Sequence, residues 1–119
     1  MNIIIKNCLL LYRGYKLKCS IGKMGTTNSK KEGDLSTPKG TFKLGSVYYR
    51  ADRVSKPNTK LKCIKISKKM GWCNDVKSKN YNKEIKINSK FTHEKIFRRD
   101  NKYNYLILVK YNYTNTIKG

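Results

Sequence analysis

The side chains that carry most nucleophilic, acid–base and metal chemistry are scarce in this 119-residue chain, which has four cysteines, one histidine and seven acidic residues. Cys73 and His93 are the one Cys–His combination that could serve as thiolate and general base, with Lys68, Lys69 and Lys77 close in sequence to favour the thiolate. One cysteine and one histidine 20 residues apart carry little information, however. A histidine in this setting is more often a hydrogen-bonded structural residue, and Cys8, Cys19, Cys63 and Cys73 show no C-x-x-C spacing. No metal centre and no cofactor is therefore expected. An even cysteine count permits two disulfides without assigning either, and three of the four lie in apolar runs as small buried hydrophobes. Gly22-Lys23-Met24-Gly25 lacks the Lys-Ser/Thr ending and the following helix of a phosphate loop.

The elements that must position such groups read as strands. Ile3 to Leu11 and Lys16 to Ile21, separated by Tyr12-Arg13-Gly14-Tyr15, predict a hairpin. Thr41 to Tyr49 alternates around Gly45 as a half-buried strand with a bulge, and Arg50 to Lys60 is a Pro57-containing loop. Leu61 to Ile66 returns to strand character, and Tyr105 to Asn112 is apolar enough to be buried on both faces. Thr92 is a good N-cap, so Thr92 to Tyr103 predicts one short helix carrying an ion-pair network of Glu94, Arg98 and Asp100.

Net charge is +21 with a pI near 10.0, a balance that ordinarily points to nucleic acid. Only five of the 28 basic residues are arginine, and the lysines are scattered from Lys6 to Lys118 as singles and pairs, which suits a solvated surface. Weak polyanion binding is expected, and a dedicated nucleic-acid reader is not. The run Ile3 to Leu11 is broken by Lys6 and Asn7, lacks a basic leader and a small-residue cleavage site, and is too short to span a bilayer. Length allows one domain at most.

The densest stretch is Lys31 to Phe42, where Pro38 fixes its own φ, Gly33 and Gly40 permit unusual backbone, and Asp34 and Ser36 can bond nearby amides. By itself it is a rigid, self-capped turn feeding a strand. As the pattern E-G-D-x-x-T-P-x-G-x-F, residues 32–42, it resembles the N-terminal signature of the YkuD-type L,D-transpeptidase catalytic domain. Met70-Gly71-Trp72-Cys73-Asn74-Asp75 followed by Asn80-Tyr81-Asn82 is similar to a second block of that family, with Asn74 in place of an aspartate and one charge fewer. Thr92-His93-Glu94 through Phe97, Arg98, Asp100 and Tyr103 resembles a third.

The resemblance implies a mainly-β, β-sandwich-type catalytic domain over residues 1–119, working on peptidoglycan at the cell wall or in the periplasm. In that family a cysteine thiolate attacks an amide carbonyl beside a D-residue of a stem peptide, a histidine assists, and an amine from a neighbouring stem peptide resolves the thioester. Those groups belong to a Gly-Ser-x-Ile-Phe-x-His strand and a Ser/Thr-x-Gly-Cys motif, and no residue here matches either, so no catalytic residue is assigned. The expectation is a domain incomplete at its C-terminus and inactive alone, whose strand Tyr105 to Asn112 borders an empty ladder position. Trp72, Asp75, Tyr81, Asn82, His93, Glu94 and Arg98 are the implied substrate-binding residues, with peptidoglycan stem peptides as partners. The alternative is a non-enzymatic cationic module that binds wall polymer or nucleic acid. Oligomeric state is not readable.

Overall fold

The computed structural model describes residues 2–87 and 90–112, which form two compact units, Met1–Gly40 and Thr41–Gly119. The first unit begins with β1 (Ile4–Lys6), β2 (Leu9–Tyr12) and β3 (Tyr15–Lys18), an antiparallel meander in that order. Its connections are the pairs Asn7-Cys8, with φ of 51° and 59°, and Arg13-Gly14, with φ of 47° and 81°. Positive φ at both central residues gives the turn whose twist matches that of paired strands. The run Ile3 to Leu11 is thus two strands rather than one. The break falls where Asn7, a residue that tolerates the left-handed region, follows Lys6. β3 also ends earlier than expected, at Lys18.

Two short parallel strands, β4 (Thr26–Thr27) and β5 (Thr37–Pro38), close the first unit. Between them the turn caps itself as its residue types require. The Asp34 carboxylate accepts the backbone N–H of Lys31 at 2.8 Å and of Ser36 at 3.0 Å, and Lys30 Nζ lies 2.6 Å from it. The bond from Lys30, then that from the Lys31 amide, hold its pKa down to about 2.

The second unit holds β6 (Leu44–Tyr49), β7 (Cys63–Lys65), β8 (Met70–Cys73), β9 (Glu84–Lys86), β10 (His93–Lys95) and β11 (Tyr105–Val109). They form two three-stranded sheets, ordered β11-β6-β7 and β10-β8-β9. β6 and β7 run parallel, so the polar loop around Pro57 is the crossover that brings the chain back in the same direction. Leu106, Tyr48 and Ile64 stand in one row across the first sheet. They meet Ile66, Ile96, Met70, Trp72, Phe97 and Tyr103 in a single core, so side chains of both sheets share one interior. The fold is mainly β, as expected.

The bulge near Gly45 is present. Ile107 faces Val47 and Val109 faces Leu44, so β6 carries one residue more than β11 around Gly45-Ser46. A Cβ on Gly45 would lie 3.0 Å from Leu108 Cδ2, so only glycine lets Leu108 pack there undisturbed.

Three expectations are corrected. The segment predicted as a short helix, Thr92 to Tyr103, instead opens with β10 and continues as bends and turns, and no helix occurs among the described residues. Thr92 has its carbonyl bonded to the Asn74 amide at 3.2 Å, and His93, Glu94 and Lys95 pair with Cys73, Trp72 and Gly71, so ladder pairing overrides a local cap. β11 is buried on one face only. It is an edge strand, and Tyr105, Ile107 and Val109 are 48, 44 and 45% exposed while Leu106 and Leu108 turn inward. Of the cysteines, Cys73 is buried, Cys19 and Cys63 are partly buried and Cys8 is exposed. No helix among the described residues is long and apolar enough to cross a membrane.

Candidate substrate groove

β8 is the middle strand that arranges the candidate residues. Its register sets Glu94 of β10 and Glu84 of β9 on either side of Trp72, in one row on the face that Met70 also occupies. Met70 and Trp72 touch the core, so this face looks inward at one end and opens at the other. Along the opening runs a cavity of about 260 Å³, walled by Tyr48, Trp72, Ile96, Tyr103 and residues 106–109 of β11, with Asn82 and Glu94 as its polar members. An apolar cleft with a few convergent polar groups is the usual form of a small-molecule or peptide site.

Each polar member is held in place. Trp72 Nε1 donates to Asn82 Oδ1 at 3.1 Å, and Asn82 Nδ2 donates to the carbonyl oxygens of Asn112 at 2.8 Å and Tyr111 at 3.4 Å. Asn82 has a φ of 59°, a conformation asparagine accepts more readily than most residues, and its backbone N–H bonds Cys73 O at 2.9 Å. This ties β8, the turn before β9 and the segment just after β11 through one residue. Tyr48 donates its hydroxyl to Glu84 Oε1 at 2.6 Å, and Tyr103 donates its hydroxyl to Glu94 Oε1. Burial first, and then the Glu94 carboxylate, push the Tyr103 phenol up to about 12. The Tyr103 phenol therefore stays a protonated donor to Glu94, whose second carboxylate oxygen can face a cationic or N–H group.

The other implied residues sit elsewhere. Asp75 accepts the Lys77 amide at 2.9 Å and opens the turn over Ser78 to Tyr81, in which Tyr81 is buried. His93 stands opposite Cys73 in the ladder, so the structure does bring the Cys–His combination together. It does so on the sheet face opposite Trp72. Cys73 is only 1% exposed there, and His93 Nδ1 is 3.1 Å from Phe91 O. A thiol so covered cannot reach a substrate in the groove. Arg98 spends its guanidinium on Asp100 in a fork of 2.7 to 3.1 Å, which holds Asp100 down to about 2. Glu94 is bonded to Tyr103 rather than drawn into a direct ion pair with that fork.

Sequence reasoning missed Glu84, Tyr48 and Arg50. The Tyr48–Glu84 bond joins residues 36 apart, with no local pattern to signal it. Arg50 is 3% exposed, lies 3.5 Å from the Phe97 ring centroid, forks onto Asp52 and donates to Arg98 O at 2.6 Å. It is a buried cation with a carboxylate partner and a carbonyl acceptor, and it anchors the segment after β10. No group of three His, Cys, Asp or Glu side chains among the described residues could hold a metal ion.

Comparison with known proteins agrees with the blocks read above. The sequence model of YkuD, the L,D-transpeptidase catalytic domain, matches residues 4–116. No curated protein and no solved structure gives a significant match. The family match runs through both units and includes every residue of the groove, and on that ground the chain belongs to the YkuD family of L,D-transpeptidase catalytic domains.

Proposed function

We propose that the groove along β11 holds a peptidoglycan stem peptide for acyl transfer between stem peptides through a cysteine thioester, the chemistry of this family, with the cell wall or periplasm as the place of action. The observation that carries this reading is the cleft itself, in which Trp72, Tyr48 and Tyr103 supply apolar surface while Asn82 and Glu94 converge as fixed polar groups. Extended peptides present alternating side chains and a regular series of amides, which suits a trough beside a strand. Glu94, its acceptor oxygens kept available by the neutral Tyr103 phenol, meets the amine of a stem peptide. Asp75, Tyr81, His93 and Arg98 support the walls, from the positions given above.

The thioester step needs a thiolate with access to the scissile carbonyl. The 119 residues contain no Ser/Thr-x-Gly-Cys motif, and Cys73 is covered. The proposed role of this chain is therefore to hold and orient, as part of an L,D-transpeptidase catalytic domain over 1–119, with no acyl transfer expected from these residues alone.

Titration of the chain with a stem tetrapeptide, followed by the fluorescence of its one tryptophan, tests the reading. Glu94→Gln keeps shape and removes charge, and is expected to weaken binding about tenfold, the loss of one charge-assisted hydrogen bond. Cys73→Ala is expected to leave affinity unchanged. Binding that ignores Glu94→Gln and collapses steeply between low and moderate salt would instead assign the surface to polyanions.

A further inference from the structure

Two cysteines that substrate holding does not use are joined by a backbone hydrogen bond in the first unit. β2 and β3 pair with Leu9 opposite Lys18, and Cys8, in the turn before β2, and Cys19, just after β3, flank that last pair. The backbone follows: the Cys19 N–H donates to Cys8 O at 2.9 Å. Residues that face each other across such a backbone bond in an antiparallel pair have Cα atoms about 5.5 Å apart, and this bond continues the β2–β3 pairing by one residue. That lies inside the span of roughly 4.4–6.8 Å that a disulfide bridges. Both thiols are free, Cys8 is exposed and Cys19 partly so, and an oxidant can therefore reach them. The remaining cysteines differ. Cys73 is covered, and Cys63 directs its Sγ to Leu61 O at 3.6 Å within the second unit.

We propose that Cys8 and Cys19 form a reversible cross-strand disulfide by exchange with a small-molecule disulfide. One cysteine thiolate attacks a sulfur of the oxidant and expels one thiolate, which takes up the proton released. The second cysteine thiolate then attacks the resulting mixed disulfide at the protein sulfur and expels the other half. The two protein thiols lose two hydrogens and two electrons in total, and the oxidant leaves as two thiols. The bridge closes the hairpin at the end opposite Arg13-Gly14, in a unit where no described residue is buried and covalent closure has the most to add. Its exposure leaves it open to attack by a reducing thiol, which makes it reversible.

The full chain is incubated with oxidised glutathione, remaining thiols are alkylated, and trypsin cuts at Arg13, Lys16 and Lys18 between the two cysteines. The expected product is a joined peptide pair, lighter by two hydrogens than its parts, which dithiothreitol separates. Cys8→Ser is expected to leave Cys19 as a glutathione adduct, whereas Cys63→Ser is expected to leave the bridge intact. Amide exchange across β1, β2 and β3 is expected to slow on oxidation and to recover on reduction. Separate glutathione adducts on Cys8 and Cys19 in the unsubstituted chain overturn the proposal, showing that the left-handed backbone at Cys8 aims its thiol away. So does a pairing of either one with Cys63.

Discussion

Residues 2–40 keep three strands in register without one buried residue among those described, whereas the second unit organises two sheets around Tyr48, Ile66 and Ile96. In the first unit the information is local. Two-residue turns fix the hairpins and the Asp34 carboxylate gathers the amides of its own loop, while Ile5 and Leu17 of the meander stay 54 and 56% exposed. In the second unit the information is distant. β6 and β7 pair in parallel, Tyr48 reaches Glu84, and Arg50 reaches across to Arg98 O. The first kind of order resists loss of a side chain and fails when a turn fails. The second does the reverse.

The largest effect expected from this contrast is at Ile96, 1% exposed and central to the core. Ile96→Ala should cost about 2–5 kcal/mol in urea unfolding and should remove the groove together with the fold. Next comes the first unit's turn: Gly14→Val, at a φ of 81°, should cost about 1–2 kcal/mol and erase the cross-strand contacts of β2 and β3 in nuclear Overhauser spectra. Leu17→Ala in the same hairpin should cost less than about 0.5 kcal/mol, because the side chain is already 56% exposed. If Leu17→Ala proves worse than Gly14→Val, the first unit depends on burial and the contrast is broken.

The same division explains what was legible in the sequence. The hairpin, the self-capped turn at Asp34 and the bulge at Gly45 were readable because each is encoded by residue types within a few positions of one another. Trp72, Asn82 and Glu94 could be named from the blocks that contain them, but their convergence could not. It depends on β8 lying between β9 and β10, a pairing across sequence gaps that no periodicity announces. The helix expected at Thr92 failed for the same reason, since a local cap signal was outweighed by strand pairing with Met70–Cys73. Tyr105 to Val109 looked buried on both faces because composition reports apolarity and not position in a sheet; an edge strand with one covered face has the same composition.

The smallest effect, and the one that most sharpens the contrast, concerns two carboxylates held alike in the two units. Asp34 and Asp100 are both lowered from 3.8 to about 2, the first chiefly by Lys30 and the second chiefly by Arg98. For a folded pKa below the unfolded one, the stabilisation is complete above the unfolded value of about 3.8 and disappears as pH falls through about 2. Both groups lose their bonds over the same window, and both are exposed enough for solvent and salt to reduce the energy involved. The consequences should nevertheless differ. Protonated Asp34 releases the Lys31 and Ser36 amides, and what remains on that loop is a few backbone bonds such as Met24 N–H to Leu35 O, with no buried side chain behind them, so amide exchange should rise across residues 30–37. Protonated Asp100 releases Arg98, but Arg50 still bonds Arg98 O and stacks on Phe97, so the amides of Tyr48 and Leu106 should stay protected at the same pH. Hydrogen exchange at pH 2 and pH 5, with Asp34→Asn and Asp100→Asn as controls, measures this directly. Equal loss of protection in the loop and at Tyr48 would mean that the core of the second unit, too, depends on its surface charges.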